Sequence, residues 1–136
     1  MSQEEKLLEK IEREGKALSI IKEGEEIFSS RKSGLLPLIE LRESEIDTEN
    51  SLAVDRVVGG AAAYIFCLLD VNKVVTNVAS RSAVRALEEK EIDLYAREKV
   101  KNIVNPDTGE VCKFEKLSKE YEDFEKFYEK VKETIM

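Results

Sequence analysis

The chain has no histidine and no tryptophan, and only two cysteines, two prolines and one glutamine (Gln3) among its 136 residues. Without histidine, neither a Cys/His dyad nor a histidine-liganded metal can be assembled. Cys67 and Cys112 are too few for a disulfide framework and lack CxxC spacing, so both are expected to be thiols. No apolar run reaches 18 residues, which leaves no candidate for a membrane-spanning helix. The charged run Ser2-Gln3-Glu4-Glu5-Lys6 after Met1 is unlike a signal peptide, and the expected location is cytoplasmic. Positive charge is also in deficit. A net charge of −7 and a pI near 4.9 argue against an extended nucleic acid or an anionic membrane as partner, while leaving room for a small cationic pocket.

What is present is the material for one core. Hydrophobic residues make up 42% of the chain and charged residues 38%, which fits a single self-folding domain over 1–136. Charge comes mainly from Glu and Lys, a balance that leans toward a thermophilic source.

Residues 2–14 place Leu7, Leu8 and Ile11 at helical spacing, predicting a peripheral amphipathic helix ending at Gly15. Residues 17–21 and 25–29 read as strands joined by a tight turn at Glu23-Gly24. Residues 34–41 read as a helix with Pro37 in its first turn. From Arg56 through Leu69 the chain is apolar almost throughout, which predicts one buried helix over 56–69 preceded by Asp55. Residues 73–79 read as a strand, Ser80-Arg81-Ser82 as the start of a short helix through Leu87, and residues 92–96 as the next, parallel strand. Residues 100–104 read as a short strand or a helix end, and Asn105-Pro106-Asp107-Thr108-Gly109 as a loop. From about Val111 the pattern is helical. Tyr121, Phe124, Phe127, Tyr128, Val131 and Ile135 give a C-terminal amphipathic helix within residues 120–136.

This order of elements is similar to that of the cytidine-deaminase superfamily, in which two helix starts meet at a zinc ion. Asp55-Arg56-Val57 and Ser80-Arg81-Ser82-Ala83 stand where its zinc motifs would open those helices, so the resemblance comes without the metal ligands. Within that superfamily the chain more closely resembles the family known as domain of unknown function 1893. The resemblance covers about residues 16–120. It rests on Gly34-Leu35-Leu36-Pro37-Leu38, Asp55-Arg56-Val57-Val58-Gly59-Gly60-Ala61, Ala79-Ser80-Arg81-Ser82-Ala83 and Gly109-Glu110-Val111-Cys112-Lys113-Phe114-Glu115. Lys113 and Gly60 depart from the family's usual pattern. The resemblance implies an α/β, three-layer cytidine-deaminase-like fold, with a mixed sheet of about five strands and helices on both faces. It implies a pocket location and no established activity.

The physics of helix starts points to the same location. Unpaired N–H groups there carry a partial positive charge, and Gly59 and Gly60 would let a ligand approach the backbone. Arg56 and Arg81 would add cationic charge, Ser80 and Ser82 would donate to an anion, and Asp55 would orient a donor. The same residues also read as ordinary caps (Asp55, Ser80), packing glycines and solvated arginines.

Cys112 follows a turn and precedes Lys113 and an expected helix, a setting that lowers a thiol pKa from about 8.5, while Glu115 reads as a local capping partner. Cys67, inside the apolar run, reads as core. Three functions stay open. The first is binding of a nucleotide-like or other small anionic ligand near Asp55 and Ser80. The second is redox, sulfur or acyl transfer by Cys112 with Asp55 as acid/base. The third is a structural or regulatory module, for instance a homodimer. None calls for a cofactor or a metal.

Overall fold

The computed structural model describes residues 1–104 and 108–135. Of the predicted loop at 105–109, residues 105–107 lie outside the described residues; Gly109 takes φ +73°, the left-handed conformation expected of a turn glycine.

Five strands form one mixed sheet in the order β2-β1-β3-β4-β5. β1 (Leu18–Lys22) runs antiparallel to β2 (Glu25–Ser30) and to β3 (Leu52–Val58), whereas β3, β4 (Lys73–Ser80) and β5 (Asp93–Val100) are parallel. Glu23 at φ 52° and Gly24 at φ 81° close the β1–β2 hairpin, because two consecutive left-handed residues match the twist of the strands they join.

The sheet separates two helical layers. On one face lies α1 (Gln3–Arg13), its start capped by the Ser2 Oγ, which accepts from the Glu5 N–H at 3.1 Å. Its Leu8 and Ile11 are buried against Val54 and Val75. The other face carries α2 (Leu36–Glu43), α3 (Gly60–Leu68), α4 (Arg81–Glu89), α5 (Lys113–Ser118) and α6 (Phe124–Ile135). There Ala53 and Val74 of the sheet meet Leu38, Ile39, Phe66, Leu87 and Phe127 in the main core.

α3 touches α2, α4, α5 and α6, which is why its residues are apolar on every side. Tyr64 on α3 packs against Phe127 at 4.9 Å between ring centroids and near right angles, and its hydroxyl donates to the Tyr121 carbonyl at 3.0 Å.

Two readings of the sequence are corrected. The single buried helix expected over residues 56–69 is the end of a strand and a helix, divided at Gly59. Val54, Val57 and Val58 are β-branched and suit a strand, and Ala61-Ala62-Ala63 suits a helix, but both stretches are apolar, so periodicity alone does not separate them. Asp55 is therefore a mid-strand residue and caps nothing. The helical region expected from about Val111 consists of α5 and α6, and the C-terminal helix expected within 120–136 begins only at Phe124. Asp123 starts α6 afresh, its Oδ1 accepting from the N–H groups of Glu125 and Lys126 at 2.9 and 3.2 Å.

Candidate functional site

β3 and β4 lie side by side and end at the same level, since Val58 pairs with Ala79. The chain turns from each strand end into a helix, through Gly59 into α3 and through Ser80 into α4, so two helix starts sit together over the sheet edge. Ser80 is the cap of α4, its Oγ accepting from the Ala83 N–H at 3.2 Å.

The group that meets these helix starts is a carboxylate of the chain itself. Glu115 of α5 is 2% exposed. Its Oε1 accepts from the Gly60 N–H at 2.8 Å and from the Ser80 hydroxyl at 3.0 Å, and its Oε2 accepts from the Ile103 N–H at 2.7 Å. A carboxylate without partners is costly to bury. Three converging donors and the positive ends of α3 and α4 offset that cost.

The glycines belong to the same arrangement. A Cβ on Gly60 would lie 2.3 Å from the Ser118 Oγ and 3.0 Å from the Ser82 Cβ. At Gly59 it would meet the Ile103 Cγ1 at 3.2 Å and the Glu115 Oε2 at 3.4 Å. Both glycines thus admit α5 and the segment after β5, and the space expected to receive a ligand is filled by Glu115 and Ser118.

The structure brings together Gly59, Gly60, Ser80 and Ser82 of the expected site residues, and adds Ile103, Glu115 and Ser118. Asp55 is elsewhere. It pairs with Leu18 and Thr76 in the middle of the sheet, four residues before Gly59 and so roughly 13 Å along the strand at about 3.3 Å per residue. Its carboxyl is raised to about 7 by desolvation, which the backbone amides of Val57 and Arg56 only partly oppose.

Arg56 is half-buried in β3, and its Nε has no hydrogen-bond partner among the described residues. Arg81 is exposed. Cys112 is half-buried at the start of α5 with no side-chain capping bond, and its N–H donates to the Ile103 carbonyl at 2.9 Å. Glu115 does not close a cap with it, as the sequence reading had it, because both carboxylate oxygens are committed to Gly60, Ser80 and Ile103. Cys67 is buried, its Sγ 3.7 Å from the Ala86 carbonyl, and burial pushes the thiol up to about 12.

Among the described residues no group of three or more Cys, Asp or Glu side chains is placed to hold a metal ion. A surface recess of about 50 Å³ between α1 and the hairpin and a shallow one of about 410 Å³ along α6 both lie away from Glu115.

Residues 6–135 match the family described as Domain of unknown function (DUF1893). The chain belongs to that family. Its structure is similar to the crystal structure of a DUF1893 family protein from Thermotoga maritima, with 28% sequence identity and a TM-score of 0.86. That match covers 98% of this chain and 92% of the other. No curated protein matches the chain. Glu115, the residue around which this DUF1893 member builds the site, was singled out in sequence only as the last residue of the Gly109–Glu115 stretch and as a local capping partner.

Replacing Glu115 with Ala leaves two amides and a hydroxyl buried without an acceptor, and should cost about 3–5 kcal/mol in urea unfolding. Glu115→Gln keeps one acceptor oxygen and should cost less; equal losses would mean that the acceptors do not matter. Asp55 gives a pH signature. Because its folded pKa, about 7, exceeds the unfolded value of about 3.9, the stability it contributes is complete below about pH 4 and is lost as pH rises through 7. Asp55→Asn should therefore gain stability relative to the parent between pH 5 and pH 8, read as the difference in Tm. A difference that does not change with pH would place Asp55 in contact with water.

Proposed function

We propose that this chain binds a small anionic ligand where α3 and α4 begin, with Glu115 as the cis group that holds the donors in place when no ligand competes. One observation carries the reading: a carboxylate already sits on the Gly60 N–H, the Ile103 N–H and the Ser80 hydroxyl. Such donors suit carboxylates and phosphoryl groups alike. The strand order, with α3 and α4 opening from adjacent parallel strands, supports a cytidine-deaminase-like reading of the fold. The nucleotide-like ligand expected from that resemblance is a member of the anionic class.

The test is NMR titration of the folded protein with acetate, inorganic phosphate and a nucleoside monophosphate. The amides of Gly60 and Ile103 should shift for at least one of the three, and more strongly in Glu115→Gln, in which the cis anion is gone. Unchanged Gly60 and Ile103 amides at millimolar anion, in parent and variant alike, would remove the reading.

A second reading makes Cys112 a nucleophile in sulfur, acyl or redox chemistry. It is favoured by the position of Cys112, three residues before Glu115 and bonded through its N–H to Ile103, which places a half-buried thiol at the rim of the site. Asp55 lies too far along β3 to share that rim as acid/base. Iodoacetamide should modify Cys112 in the folded protein while Cys67 reacts only on unfolding. Equal, slow labelling of both thiols would exclude a nucleophilic Cys112.

A further inference from the structure

We infer that the anion received at the helix starts is one end of a polyphosphate chain, whose further phosphoryl groups lie on a cluster of cations beside Glu115. This rests on the anion-binding reading above and names the ligand class for the same site. Each segment that meets at Glu115 also carries an exposed cation within two residues of the bonded group. Arg81 follows Ser80 on α4, Lys101 stands two residues before Ile103 after β5, and Lys116 follows Glu115 on α5. Two residues of chain span about 7 Å at most, less than one Debye length at physiological salt. Lys119 is placed directly. Its Nζ donates to the Asn102 Oδ1 at 2.6 Å, one residue from the Ile103 N–H that Glu115 accepts.

The ion pairs of the described residues lie elsewhere, on Lys16, Lys22, Arg42, Lys73, Arg97 and Lys132. Arg81, Lys101, Lys116 and Lys119 form none among the described residues, and the exposed acids Glu110 and Glu120 are not paired with them. Residues 99–119 carry five lysines against Asp107, Glu110 and the bonded Glu115, in a chain of net charge −7, so positive charge is gathered at the end where the donors converge. A lone carboxylate or phosphoryl group is already matched by the three donors and has no use for charge further out. A linear polyphosphate does. Its terminal group takes the Gly60 and Ile103 amides and the Ser80 hydroxyl, and its remaining charge falls on Arg81 and the lysines. Exposed contacts of this kind are weak singly, so the cations act as a set. Free polyphosphate and nucleoside di- or triphosphates share this chemistry.

The experiment is calorimetric titration of the full-length chain, and of Glu115→Gln, with inorganic phosphate, pyrophosphate, tripolyphosphate and a nucleoside triphosphate, followed by amide NMR. Tripolyphosphate should bind at least about tenfold more tightly than phosphate, shift the Gly60 and Ile103 amides, and lose its advantage at about 1 M salt. Lys101→Gln with Lys119→Gln should weaken tripolyphosphate at least about tenfold. Lys6→Gln with Lys32→Gln, the same change of charge at exposed positions off these segments, should weaken it less than about twofold. A nucleoside triphosphate that only matches tripolyphosphate makes the free chain the source, and one that binds more tightly makes it the nucleotide; either result upholds the inference. Equal affinity for phosphate and tripolyphosphate, or equal losses in the two double variants, overturns it and leaves simple anion binding intact. Tripolyphosphate binding that moves neither amide, or no anion bound by parent or Glu115→Gln, overturns it together with the reading on which it rests.

Discussion

A single buried carboxylate ties together the end of the molecule where four segments meet. Glu115 joins α5 to the start of α3, the start of α4 and the chain that leaves β5, spanning 55, 35 and 12 residues of sequence respectively. Without Glu115 the buried Gly60 N–H and Ser80 hydroxyl, and the half-buried Ile103 N–H, would lose this acceptor. The glycines at 59 and 60 are part of the same constraint, because a side chain at Gly60 would press on Ser118 of α5 and one at Gly59 would crowd Ile103 in the segment after β5. Two helix starts and a six-residue helix thus form one unit whose geometry is set by one side chain.

The rest of the main layer is arranged around α3. Its apolar surface is consumed by α2, α4, α5 and α6 together, so α3 could not be placed at the periphery without stranding Ile65, Phe66 or Cys67 in water. Apart from the buried Glu115 bonds, a second polar cluster ties α6 to α2. Glu43 of α2 accepts from the Tyr128 hydroxyl at 2.8 Å and pairs with Lys132, which draws α6 against α2. Lys132 holds the Glu43 carboxyl below its ordinary range, while burial and that same carboxylate push the Tyr128 hydroxyl well above its own. On the opposite face one helix suffices, because the strip it covers is narrow and the strands beside it carry Lys73 at the start of β4 and Arg97 within β5.

How much of this was legible in the sequence depended on whether the cause was local. The spacing of Leu8 and Ile11, the Glu23-Gly24 turn, Pro37 in the first turn of α2 and Ser80 as a cap are local signals, and each element they predict is present. The parallel pairing of β4 with β5 follows from the helix between them. The stretch from Arg56 to Leu69 misled because Val57 and Val58 at the end of β3 and the residues of α3 run on as one apolar stretch across Gly59, although Val57 is exposed. The break before α6 was hidden because Tyr121 and Phe124 keep the aromatic spacing going across it. The role of Glu115 was out of reach in principle. Nothing near residue 115 records that Gly60 and Ser80 arrive there, and its neighbours suggested a capping bond that the fold does not make.

The bonding around the site also bears on whether it is built to react or to hold. The Ser80 hydroxyl donates to Glu115 and accepts from the Ala83 N–H, so its proton and a lone pair are both engaged in positioning. Among the described residues the Glu115 oxygens accept from the Gly60 and Ile103 amides and the Ser80 hydroxyl. The titratable group with a pKa close to neutrality, Asp55, lies about four residues down β3, beyond hydrogen-bond reach of any atom bound at the helix starts. Donors fixed on three segments, with the nearest tunable acid well removed, are suited to recognising negative charge. Of the described side chains at this end, Cys112 carries a free, half-buried thiol. Chemistry here would therefore have to begin with sulfur, while recognition needs only the donors already aligned on Glu115.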